Sequence, residues 1–137
     1  MQRINDDDLY LADDGSYEYE DKPFTGVAVE YSRDGSIIGE TEYLDGLQSG
    51  KSRYWYPSGE LKGEKEFLRN GHHGWSREWY QNGQLKEETL FEHSIRLRER
   101  CFDPEGKVLS DFTLAEDAPL YQTLLQYREI YKDGRSD

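Results

Sequence analysis

Apolar and polar positions along this chain form short runs that return at a fixed interval. Aligned on a turn glycine, Gly35, Gly59, Gly83 and Gly106 lie 24, 24 and 23 residues apart. Four residues before each stands an aromatic (Tyr31, Trp55, Trp79, Phe102), and two after it an aliphatic (Ile37, Leu61, Leu85, Val108). Eight residues after each come Tyr43, Phe67, Phe91 and Leu114, while Gly26, Gly50 and Gly74 lead the first three units. A period of this length marks a repeat architecture. Such a unit holds two strands of about seven residues, a tight turn and a connection.

The turns read RDG, PSG, QNG and PEG. Proline at 57 and 104 fixes φ for the first central position of a type I turn. Glycine then takes the left-handed position of a three-residue hairpin loop with a bulge. That loop sets Trp55 opposite Leu61, Trp79 opposite Leu85 and Tyr31 opposite Ile37, so aromatic and aliphatic columns share one face. A two-residue turn would oppose Trp55 to Lys62 and split the apolar columns. With strict alternation, Arg53 and Arg77 share the face of Trp55 and Trp79. The other face then carries an acidic column of Glu40, Glu64, Glu88 and Asp111, a shorter one of Glu42 and Glu66, and Tyr54, Tyr56 and Tyr80. Lys62 and Lys86 are the expected compensation for that acidity.

Ahead of these units, Leu9–Ala12 and Ser16–Glu20 predict a shorter hairpin turning at Asp13–Gly15, with Tyr19 joining the column of Tyr43. After them, Asp117 is the expected cap of a helix with Pro119 in its first turn. Leu120, Leu124, Tyr127 and Tyr131 supply its apolar stripe, widened by Tyr121 and Leu125, and Gly134 ends the segment. The expected fold is therefore all-β. It is a single-layer antiparallel meander of about four 23–24-residue β-hairpin repeats, with a short N-terminal hairpin and a C-terminal capping α-helix. One domain spans 1–137: an acidic head and first hairpin at 1–21, hairpin repeats at 22–114 and the helix at 117–132.

The segments PFTGVAVEYSRDGSI, GKSRYWYPSGEL and GWSREWYQNGQLKEE resemble MORN repeats, and more closely their bacterial variant found in antitoxin-type proteins. The resemblance rests on the leading glycine, the aromatic pair before the turn and the glycine turn itself. Asp45–Gly46 and Asn70–Gly71 match the family's connection, and the likeness covers roughly residues 19–114. In the fourth unit EHSIRL replaces the expected glycine connection, which predicts an irregular start to that hairpin. The resemblance implies a long twisted meander that binds proteins. Lipid contact has been proposed for some members, and the bacterial variants are linked to toxin neutralisation.

Composition sharpens this picture. Aromatics make up 14% of the 137 residues, which suits a thin sheet better than a thick globule. The net charge is −12. Residues 1–21 hold eight acids against Arg3 alone, a field that repels nucleic acid and anionic membranes and attracts basic proteins. One cysteine, Cys101, permits no internal disulfide, and no apolar run suits a membrane span or a signal region. A cytoplasmic protein is expected.

Catalytic chemistry finds no signature. Cys101 with His93 lacks a local nucleophile motif, the adjacent pair His72–His73 is poor chelate geometry, and the acidic stretches lack calcium-loop spacing. No enzyme activity, cofactor or metal is expected. The leading function is a binding protein of immunity or antitoxin type that occludes a basic toxin. Its candidate contacts are Glu40, Glu42, Tyr54, Tyr56, Glu64, Glu66, Tyr80, Glu88 and Asp111. The alternative is a scaffold holding a peptide or helix of another partner on the aromatic face, through Tyr31, Arg53, Trp55, Trp75, Arg77 and Trp79; lipid association comes third. Open edge strands leave the oligomeric state undetermined.

Overall fold

The computed structural model describes residues 1–132, so the expectation for Gly134 lies outside the described residues. The fold is the expected long meander. Its strands are β1 (Arg3–Asn5), β2 (Tyr10–Leu11), β3 (Tyr17–Tyr19), β4 (Lys22–Pro23), β5 (Gly26–Tyr31), β6 (Ile37–Leu44), β7 (Leu47–Trp55) and β8 (Leu61–Leu68). They continue with β9 (Gly71–Trp79), β10 (Leu85–Glu92), β11 (Ile95–Phe102) and β12 (Val108–Thr113), followed by helix α1 (Pro119–Ile130). One nine-stranded sheet runs β1-β5-β6-β7-β8-β9-β10-β11-β12, and a small sheet runs β2-β3-β4.

Two kinds of turn alternate. At one end, Gly59 N–H returns to Tyr56 O at 2.8 Å and Tyr56 N–H to Glu60 O at 2.9 Å, which makes the expected three-residue loop. Trp55 opposes Leu61, Trp79 opposes Leu85 and Tyr31 opposes Ile37, as the turn residues dictate. At the other end sit two-residue turns with positive φ at Glu20–Asp21, Asp45–Gly46, Arg69–Asn70 and His93–Ser94. Mirror-image turns of this kind match the twist of the flanking strands.

His93–Ser94 adopts the same turn as its counterparts, so the fourth hairpin begins regularly, contrary to the sequence expectation. The difference lies just beyond. β7 and β9 each carry two extra residues against their partners, as where Thr41↔Ser52 gives way to Tyr43↔Gln48, whereas β11 carries one, from Leu90↔Arg98 to Phe91↔Arg96. This accounts for the 23-residue spacing. Gly50 and Gly74 occupy the two-residue bulges at φ +103° and +112°. The shorter bulge needs no such conformation, and Leu97 stands there instead.

The head is more than a hairpin. Tyr10 and Leu11 pair with Glu18 and Tyr17 as expected, but β4 adds a third strand, and β1 pairs parallel to β5 at the edge of the large sheet. Ile4, Phe24, Ala28 and Tyr43 form a buried cluster there, with Leu9, Tyr17 and Tyr19 against it. Tyr19 therefore meets Phe24, at 5.9 Å between ring centroids, in the small sheet.

The helix differs from expectation in detail. Its cap is Ala118, with no side-chain bond, and not Asp117; Pro119 holds the first position. Leu124 is its buried residue, while Leu120 and Leu125 stay exposed. The rest of the stripe packs as expected: Tyr127 and Tyr131 meet the His93 ring, at 5.7 and 4.8 Å, and beside them Arg128 forks onto Glu92 at 2.7 and 3.0 Å. These contacts set α1 over the last two-residue turn. The outer strand β12 keeps five of its six residues exposed.

Adjacent hairpins are also tied by tyrosine. Tyr56 Oη donates to Trp79 O at 2.7 Å, and Tyr80 Oη to Phe102 O at 2.8 Å. Tyr56→Phe and Tyr80→Phe should each lower unfolding free energy by about 1 kcal/mol. Urea denaturation measures this; an unchanged midpoint would show that solvent replaces the bond without loss.

Candidate protein-binding face

The faces are set by a recurrent bulge. Between Tyr54↔Gly63 and Trp55↔Leu61 one residue, Lys62, is extra; Ile38, Lys86 and Leu109 are extra at the equivalent places. Each bulge reverses the phase of the strand after the turn. Strict alternation therefore misplaces those strands. The acidic columns lie on the same face as Arg53, Arg77 and the tryptophans, not on the opposite one.

One row of that face alternates in charge across seven strands: Glu40, Arg53, Glu64, Arg77, Glu88, Arg100 and Asp111, each the register partner of the next. Ion pairs close along it, Arg53–Glu64 at 2.8 Å, Arg77–Glu88 at 3.4 Å and Arg100–Asp111 at 3.9 Å, and Arg3 reaches Glu40 at 2.7 Å. The compensation expected from lysine comes from arginine. Lys62 and Lys86 lie instead over the Tyr56 and Tyr80 rings, at 5.8 and 5.6 Å. Exposed pairs of this kind contribute little stability each. Their effect is to make the row neutral overall while leaving it rich in directed polar groups. Arg77 also stacks on Trp75, 4.6 Å from the ring centroid, whereas Arg53 is committed to Glu64.

Glu42 and Glu66 serve the backbone. Their carboxylates fill the space a side chain would take at Gly50 and Gly74, and Glu42 Oε2 accepts from Lys51 N–H at 3.2 Å.

Beside the charged row, at the three-residue-turn end, the aromatic and aliphatic columns form an apolar stripe. Tyr31, Ile37 and Val108 are 47%, 39% and 46% exposed, and Trp55, Leu61, Trp79, Leu85 and Phe102 are half-buried. A single-layer sheet has no second layer to bury such a stripe.

The opposite face carries the candidate tyrosines. Tyr54 lies between Gly39 and Gly63 and accepts from Ser52 Oγ at 2.7 Å, in a groove of about 350 Å³ that Glu30, Glu78, Lys62 and Lys65 share. Tyr56 and Tyr80 spend their hydroxyls on the neighbouring hairpin. The candidate acids and tyrosines are therefore not brought together, whereas the acids and the alternative set of aromatics and arginines are.

Two arrangements on this opposite face escape sequence reasoning. Phe24, Gln48, His72 and Arg96, spaced by 24, interleave with Tyr43, Phe67 and Phe91. His72 sits between Phe67 and Phe91, at 4.9 and 4.7 Å, and Arg96 lies 3.9 Å over Phe112. The 24-residue period was the available signal. The second is an acidic group. Glu78 and Glu87 oppose each other directly, and the ligand atoms of Glu87, Glu99 and Cys101 lie within 4.8 Å of one another, the one such trio among the described residues. Burial, then Glu99 and Glu78, push the Glu87 carboxyl above its ordinary value. Glu99 is already held by Thr89 Oγ1 at 3.1 Å and Arg96 at 3.0 Å. Cys101 pairs with Glu87 in mid-strand while His93 lies in the turn, so the two are not brought together as nucleophile and base.

Comparison with known proteins agrees with this architecture. The family model for the MORN repeat variant matches residues 48–69 and 73–93. Immunity protein YwqK of Bacillus subtilis (strain 168) is 54% identical over 110 residues, covering 80% of this chain and 71% of that protein. No solved structure matches the chain. The shared period, turns and leading glycines, with an identity of that extent, place the chain in the MORN repeat-variant family.

Proposed function

We propose that this chain is a non-catalytic immunity protein that acts in the cytoplasm and neutralises a basic protein toxin by covering part of its surface. The observation that carries this reading is the uncovered aromatic and aliphatic stripe beside the alternating charge row. It offers large rigid side chains for anchoring and a neutral polar border for register. The name of the Bacillus relative supports the immunity role. The net charge of −12 supports a cationic partner and a fast, steered encounter.

Capture of partners on the tagged chain, with low-salt and high-salt washes, tests this. One basic protein should be captured, and captured more efficiently at low salt than at about 0.5 M salt, where screening reaches only a few ångströms and steering is lost. That protein should arrest growth when expressed alone, and this chain should restore it. A captured protein that is harmless, or a toxin that this chain leaves fully active, would overturn the immunity role.

A further inference from the structure

All three histidines of the chain line one cleft of about 360 Å³, between α1 and the two-residue turns at Arg69–Asn70 and His93–Ser94. Its volume is at the lower end of small-molecule pockets. Its lining is unusual for this protein. In a chain with 29 acids, none of the residues lining it is Asp or Glu. They include Arg69, the three histidines, Ser94, Tyr127 and Tyr131.

The carboxylate next to His93 along the chain, Glu92, is consumed by Arg128 through two bonds at 2.7 and 3.0 Å. Arg69 is exposed and has no carboxylate partner among the described residues.

The hydrogen bonding sets what the cleft can bind. His93 N–H donates to His73 Nδ1 at 2.9 Å. A neutral imidazole that accepts at Nδ1 carries its proton on Nε2, so the remaining edge of His73 is a donor. That edge suits an anion and not a metal ion. His93 stacks on Tyr131 and stands 4.6 Å from the His73 ring. A guanidinium, a ring N–H and hydroxyls around one small volume are the donor set that a tetrahedral oxyanion takes.

We propose that this cleft is a binding site for a phosphate group, either free or carried on a small ester. Binding would join the Arg69 turn, the His93 turn and α1, three segments otherwise linked mainly through His93 and Glu92.

The test titrates the full chain with inorganic phosphate and, separately, with glycerol 3-phosphate at constant ionic strength, following the histidine C2–H resonances. The His73 and His93 signals should shift saturably, with half-saturation below about 10 mM. The ligand that binds more tightly identifies the source of the phosphate group. Arg69→Asn, a replacement that tolerates the φ of +49° at this position, should weaken binding about tenfold. The titration of His93 provides a second readout. Burial, then His73, and also Arg128, lower its proton affinity, and Glu92 opposes them; burial and Lys65 do the same to His72. A bound phosphate should move the His93 titration to higher pH. Shifts that chloride reproduces at equal ionic strength, or that survive Arg69→Asn unchanged, would overturn the assignment.

Discussion

Gly74→Ala should destabilise the protein by about 3 kcal/mol, lowering the melting temperature by about 10 °C. Two costs combine. Gly74 has φ +112°, where a side chain is strained. An added Cβ would also overlap the Glu66 carboxylate, with Glu66 Cδ only 2.9 Å away. The two are separable. Glu66→Ala removes the overlap and leaves the backbone strain, so the double variant should recover part of the loss. Thermal melts of the three variants measure the cycle. If Gly74→Ala melts with the parent, the leading glycine is not a structural requirement. Gly50, which faces Glu42 in the same way, should behave alike.

Trp79→Ala should weaken binding of the captured partner by about 30-fold or more, the loss typical of a central aromatic anchor. Glu64→Gln combined with Glu88→Gln should change it by less than about threefold, because those carboxylates are already neutralised by Arg53 and Arg77. Trp79 is half-buried, so its variant is compared with the parent by thermal melt at the assay temperature. The opposite ranking, a large loss from the glutamates and none from Trp79, would return the contact to the acidic columns and remove the stripe from the proposal.

The contrast between these two variants also shows what the sequence could and could not convey. Turn chemistry is local, so Pro57 and Gly59 were enough to pair Trp55 with Leu61, and the first hairpin followed from Asp13–Gly15 in the same way. The bulge at Lys62 is not local in that sense. It is one unpaired residue with no glycine or proline to mark it, and it reverses every side chain that follows. Two sets of candidates were therefore assigned to opposite faces, although Arg53 and Glu64 are 2.8 Å apart. The parallel strand β1 was equally hidden, since three residues have no period. His72 and His73 read as a bare connection because a ring stacked between Phe67 and Phe91 depends on two strands that the sequence does not show to be its neighbours. The helix and most of its apolar stripe were visible, but its partners Glu92 and His93 were not, because no helical pattern contains them.

The residue that opens each three-residue loop has a further consequence. Position by position the loops open with Ser32, Tyr56, Tyr80 and Asp103. The two interior residues reach forward to the next hairpin. Asp103 turns inward and accepts from Glu105 and Lys107 N–H, each at 2.9 Å, within its own loop. A tyrosine at this position thus ties its hairpin to the next, whereas the aspartate of the last loop spends its bonds within that loop. Duplicating one 24-residue tyrosine unit would add one tryptophan to the column of Trp55 and Trp79 and one arginine to the charged row without altering either end.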